Sequence, residues 1–121
     1  MEQEEYVHRI EAVAEARGRF HPEAYLWILR ALDFTRRRFQ RPGHVSGQEL
    51  LEGTRLLALE EYGPMAADVF RHWGLTGSQD FGRIVFDLVE EELLSKEESD
   101  TLEDFAHGYD FDQAFVRDYR W

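Results

Sequence analysis

Five histidines, at positions 8, 21, 44, 72 and 107, are the first side chains in this sequence to test for proton transfer or metal binding. No two stand four apart, so no helix face presents the paired imidazoles of an HExxH site. A metal-dependent enzyme would have to assemble its site from distant segments, for example from His44 and His72 flanking the third and fourth helices, and is kept as one alternative. Cysteine is absent, which removes disulfides, thiolate catalysis, iron–sulfur clusters and thiolate zinc sites together.

Carboxylates near the C-terminus, Asp100, Glu103, Asp104, Asp110 and Asp112, could supply the oxygens that magnesium or calcium prefers, but their spacing matches no calcium loop. Helix caps and solvated faces account for such residues, and Asp112 is placed to cap the last helix and Asp80 the fifth. Ser46 lies two residues from His44, yet no GxSxG elbow surrounds it. No glycine run continues into the Gly-Lys-Ser/Thr of a phosphate loop. These observations assign no catalytic residue, no cofactor and no metal ligand.

Arginine is the conspicuous type. Of fourteen basic residues, thirteen are arginine and one is Lys96. Between residues 30 and 44, Arg30, Arg36, Arg37, Arg38 and Arg41 face a single acid, Asp33, giving a local charge of +4 in a chain of −11. Residues 77–121 carry −9. On a 3.6-residue helix Arg30 and Arg37 share a stripe with Phe34 between them, and Arg38 lies on the neighbouring one. Cations in the last helical turn complement its dipole by ~0.3–1 kcal/mol each, and the 25 acids offer internal partners. Four arginines between 36 and 41 nevertheless exceed what one helix end requires. The leading expectation is therefore a non-enzymatic interaction or regulatory module. Arg30, Arg36, Arg37, Arg38, Arg41 and His44 would dock an acidic protein partner. Association with RNA or a ribonucleoprotein is a second alternative, disfavoured by the overall charge.

The elements that must position these groups follow from hydrophobic periodicity. Tyr6, Val7, Ile10, Val13 and Ala14 form one helical stripe before Gly18. A second helix opens at His21-Pro22 and is expected to span 22–40, stopping before Pro42. It is apolar nearly all round, from Tyr25 through Trp27, Ile28 and Leu29 to Leu32, which predicts a central helix covered on several sides. Ser46 and Glu49 form a capping box for a third helix that Gly63 ends. A short fourth helix carries Ala66, Val69, Phe70 and Trp73. A fifth, from about Asp80, carries Phe81, Ile84, Val85, Leu88 and Val89. Further segments hold Leu102, Phe105 and Ala106, capped by Ser95 or Ser99, and then Ala114, Phe115 and Val116. No segment alternates with period two, so an all-α domain of about five to seven helices spanning 1–121 is expected.

Drawn as a helix-turn-helix, the fourth and fifth helices would present Arg83, Asp87, Glu90 and Glu91 to DNA, a net negative surface unsuited to phosphates. The acidic start, Met1 to Glu5, is unlike a secretory leader, and no stretch reaches the ~20 apolar residues of a membrane span. A cytoplasmic location is the resulting expectation.

The stretch His44-Val45-Ser46-Gly47-Gln48-Glu49-Leu50-Leu51-Glu52-Gly53, with Tyr62-Gly63-Pro64-Met65-Ala66, Trp73-Gly74-Leu75 and Asp80-Phe81-Gly82-Arg83-Ile84-Val85-Phe86, resembles a family of small uncharacterised bacterial proteins. Ala24-Tyr25 upstream and Tyr109-Asp110-Phe111-Asp112 with Phe115 downstream extend the likeness over most of the chain. The resemblance implies relatives; it carries no activity, substrate or catalytic residue.

Overall fold

A computed structural model describes residues 2–95 and 108–117. Each helix starts and stops where local backbone chemistry dictates. Helix α1, Glu2–Arg17, ends at Gly18, whose φ of 64° is left-handed and whose N–H donates to the Ala14 carbonyl at 3.0 Å. Ile10, Val13 and Ala14 are buried, whereas Val7 stays on the surface, so the apolar stripe is narrower than its periodicity implies.

Helix α2, Pro22–Arg38, begins with His21 as N-cap: its Nδ1 accepts from the Glu23 N–H at 3.1 Å, and Pro22 fills the first turn. Its end lies two residues before the expected 40. The stop is a Schellman motif, with Gln40 left-handed at φ 54°, the Arg41 N–H on the Arg36 carbonyl at 2.8 Å and the Gln40 N–H on the Arg37 carbonyl at 3.3 Å. The chain has thus left the helix before Pro42 is reached.

Helix α3, Gly47–Tyr62, has both halves of the capping box: Ser46 Oγ accepts from the Glu49 N–H at 3.0 Å, and Glu49 accepts from the Ser46 N–H at 2.9 Å. A 3-10 turn, Gly63–Met65, leads to α4, Ala66–His72, and Gly74 at φ 92° turns the chain away. Helix α5 spans Gln79–Glu90, and a π-helical turn, Gln113–Arg117, closes the second described stretch. The expected segment with Leu102, Phe105 and Ala106 lies outside the described residues, as does the Val116 side chain.

Two expected caps are corrected. The N-cap of α5 is Ser78, which makes no side-chain cap bond. Asp80, already inside the helix, turns its buried carboxylate back to the Thr76 N–H at 2.7 Å and the Thr76 hydroxyl at 3.0 Å, and pairs with Arg83 at 2.6 Å. At the last turn Asp110, not Asp112, accepts from the Gln113 N–H at 3.0 Å, while Asp112 pairs with Arg71 at 2.6 Å. At the last turn a free N–H is met by the acid of the incoming loop, whereas at α5 an acid of the helix reaches back to the loop's N–H, and helix spacing alone specifies neither.

The described residues form an all-helical fold with five α-helices and no strand. Helix α2 is central, packing on α1, α3 and α5. Trp27 meets Phe70 at a ring separation of 4.9 Å and Phe81 at 5.7 Å, and Phe111 and Phe115 join the same cluster against Phe70 at 5.1 and 5.7 Å. Edge and tilted contacts of this kind add to the burial of the large rings. Helices α2 and α3 run antiparallel, with Thr35 against Gly53 near their connection and Arg30 paired with Glu61 towards the far end. No described helix is long and apolar enough to cross a membrane.

Candidate anion-docking site

The loop after α2 is built almost entirely by the groups that the sequence nominates for binding. The Schellman turn directs Arg41 back towards α3, where its Nε donates to Glu49 Oε2 at 2.9 Å. Arg36 Nε donates to the Gly43 carbonyl at 2.8 Å. Glu49 therefore closes the capping box with one oxygen and holds Arg41 with the other. The Ser46 backbone N–H first, and the Arg41 guanidinium beside it, hold the Glu49 carboxyl below the usual carboxylate range. Arg36 and Arg41 thus shape the loop as well as charging it.

The remaining arginines project from α2. Arg37 pairs with Asp33 one turn earlier at 2.8 Å, its own side chain 76% exposed. Arg38 is exposed and makes no ion pair among the described residues. Arg30 grips Glu61 of α3 with two nitrogens, at 2.8 and 3.3 Å, and the same carboxylate receives the buried Trp27 indole N–H at 2.8 Å. His44 is exposed beside the loop. The structure accordingly gathers Arg36, Arg37, Arg38, Arg41 and His44 at one end of α2 and sets Arg30 two turns back along the same helix.

A groove of about 450 Å³ runs along the seam between α2 and α3. Leu29, Phe34 and Leu57 form its apolar surface, and Arg30 with Glu61 and Arg37 with Asp33 rim it. Arg30, Phe34 and Arg37, which share a stripe in the sequence, line it together. Leu29 was expected in the core and is only half-buried, because this flank of α2 faces the groove and no other described element covers it.

At the opposite end of α2 lies a polar cluster that the sequence conceals. Asp87, expected on the exposed face of α5, is fully buried. It accepts from the Tyr25 hydroxyl at 2.7 Å and from Arg19 at 3.1 Å, with Arg17 at 3.5 Å. Arg17 reaches on to Glu90 at 2.9 Å and Glu91 at 3.3 Å. Burial, and then the bond to Asp87, push the Tyr25 hydroxyl far above the ordinary tyrosine value. Tyr25 is thus fixed as a proton donor to the carboxylate, and the cluster pins α5 to α2 and to the end of α1. A hydroxyl pair, Thr54 with Tyr109 at 2.7 Å, ties the 108–117 stretch to α3.

The histidine pairing that a discontinuous metal site would need is not made. His72 lies beside His21, with ring centres 6.4 Å apart, and the His21 N–H donates to the Trp73 carbonyl at 2.9 Å. Both sit at the N-terminal end of α2, whereas His44 follows its C-terminal end. The 17 residues of α2 separate the two ends by roughly 25 Å at ~1.5 Å per residue. Among the described residues no group of three or more histidine, aspartate or glutamate side chains is placed to hold a metal ion.

No protein-family model, no curated protein and no solved structure matches this chain.

Proposed function

We propose that this chain is a non-enzymatic interaction module, acting in the cytoplasm, that docks an acidic protein segment on the arginine-bearing end of α2. The observation that carries the reading is the contrast between the two arginine clusters. Arg17 and Arg19 converge on a carboxylate with no exposed surface, whereas among the described residues Arg37 pairs with Asp33, itself 63% exposed, and Arg38 pairs with no carboxylate. Exposed pairs contribute little to stability, so an incoming acid exchanges for Asp33 at small cost. Guanidinium forks favour carboxylate through paired hydrogen bonds.

The net charge of −11 favours an acidic protein segment over a nucleic acid. A nucleic-acid backbone lying across the molecule would meet acidic surface beyond the patch, while a short acidic segment ends where the patch ends. The resemblance to the small bacterial family adds no mechanism to this reading.

The test is a titration of wild type and an Arg37→Ala/Arg38→Ala variant with an oligoglutamate peptide and with a single-stranded RNA oligonucleotide, at low and physiological salt. These two arginines are chosen because their side chains do not build the loop. Salt-sensitive peptide binding that the variant loses supports the proposal. Equal binding by both proteins at every salt concentration would show the patch to be a solvated helix end, and preference for RNA would move the reading to its alternative.

A further inference from the structure

Resting on that reading, we infer that the partner segment is a short amphipathic helix, packed antiparallel to α2 in the α2–α3 groove, with its acids in its first turn against Arg37 and Arg38. Three observations on the groove converge. Its surface is supplied by Leu29, Phe34 and Leu57, so an occupant made only of acids leaves that surface wet. Its walls are two helices with no strand edge, so an occupant finds no backbone ladder and must satisfy its own N–H and C=O groups, which a helix does and an extended peptide does not. From Leu29 to Arg37 the groove follows roughly 12 Å of helix at ~1.5 Å per residue, the length of about two turns.

Charge complementarity sets the direction. At the Arg30 end, Glu61 is already committed to Arg30 and to the Trp27 indole, so an acid placed there meets a carboxylate. At the other end Arg37 lines the groove and is held by the exposed Asp33, and the exposed Arg38 beside it makes no ion pair among the described residues, so the acids of the occupant belong there. Acids are most favourable in the first turn of their own helix, where they meet its positive dipole end. That end then lies beside the negative C-terminal end of α2, which fixes the antiparallel sense.

The experiment is selection of a random peptide library displayed on phage against the wild-type protein. Recovered peptides are then measured on wild type, on Leu29→Arg and on Arg37→Ala/Arg38→Ala. Leu29→Arg keeps the positive field and removes apolar groove surface. The expected consensus has acids followed by aliphatic residues at i, i+3 or i+4 spacing, with binding weakened about tenfold or more by either variant. Acid-rich peptides without the aliphatic spacing, bound equally well by Leu29→Arg, would overturn the groove while leaving the acidic-docking reading intact. Peptides indifferent to Arg37→Ala/Arg38→Ala would overturn both. Scrambled versions of the recovered peptides, compared on wild type alone, test the helical spacing even if Leu29→Arg fails to fold; binding as tight as that of the parent peptides would overturn the inference.

Discussion

A β-carbon added at Gly53 would stand 1.8 Å from Thr35 Oγ1 and 2.9 Å from Thr35 Cβ, so α2 and α3 approach each other there as closely as glycine alone permits. Thr35 is fully buried, and its hydroxyl is turned onto the Ala31 carbonyl at 2.6 Å, which leaves it no room to yield. Elsewhere in a helix, alanine in place of glycine gains ~1 kcal/mol. At this site the overlap reverses the sign. Gly53→Ala is expected to destabilise by about 1–3 kcal/mol in urea denaturation. Adding Thr35→Ala should recover part of that loss, a non-additivity that a double-mutant cycle reads directly.

Asp87 is the carboxylate on which three donors depend. Asp87→Asn keeps the shape but turns one acceptor into a donor facing Tyr25 and Arg19, and should cost about 1–3 kcal/mol. Tyr25→Phe removes one donor and leaves both arginines on the carboxylate, so its cost should be the smaller of the two. Midpoints of chemical denaturation for the two variants check the order; a more damaging Tyr25→Phe would contradict it.

Loss of the Ser46 hydroxyl is expected to cost about 0.5–2 kcal/mol, since the Glu49 N–H loses its acceptor. The other half of the box is pH-dependent. With its folded-state value lowered, the Glu49 carboxylate stabilises in full above the ordinary carboxylate range, and that contribution disappears as pH falls through the lower folded value. Wild type should therefore exceed Glu49→Gln in stability at neutral pH, and the gap should narrow at an acidic pH below the ordinary carboxylate range. Denaturation midpoints at the two pH values provide the comparison.

Gln40 adopts a left-handed conformation that costs a side-chain-bearing residue about 1–2 kcal/mol. Gln40→Gly should accordingly stabilise the fold by up to ~1 kcal/mol, and Gln40→Val should destabilise it. Because neither change alters charge, peptide binding at the neighbouring arginines should track the arginines and not position 40, which thermal melts and the oligoglutamate titration together would establish.

Much of this architecture was legible because its signals are local. His21-Pro22, the Ser46–Glu49 box and the glycines at 18, 63 and 74 punctuate the chain within a few residues of where they act. Asp87 was misread because its partners are remote: Tyr25 and Arg19 lie more than 60 positions earlier, and Glu90 and Glu91 nearby made it look solvated. One clue was available. Asp80 and Asp87 are seven apart and hence on one flank of α5 beside its apolar stripe, and both are buried. Leu29 was misread for a different reason. An apolar residue on a central helix is ordinarily core, and nothing in periodicity says which flank its own chain leaves uncovered.

The carboxylate of Glu61 joins a surface cation to an interior ring, since it holds Arg30 on one side and the indole nitrogen of Trp27 on the other. Indole emission responds to the strength of the bond on that nitrogen and to charge beside the ring. A ligand that settles in the groove and draws on Arg30 or Glu61 should therefore change the intrinsic fluorescence of a residue it never touches. The protein carries its own optical reporter, and occupancy of the groove can be followed in unlabelled samples, with Trp27→Phe, which keeps Trp73 and Trp121, as the control that should lose the change.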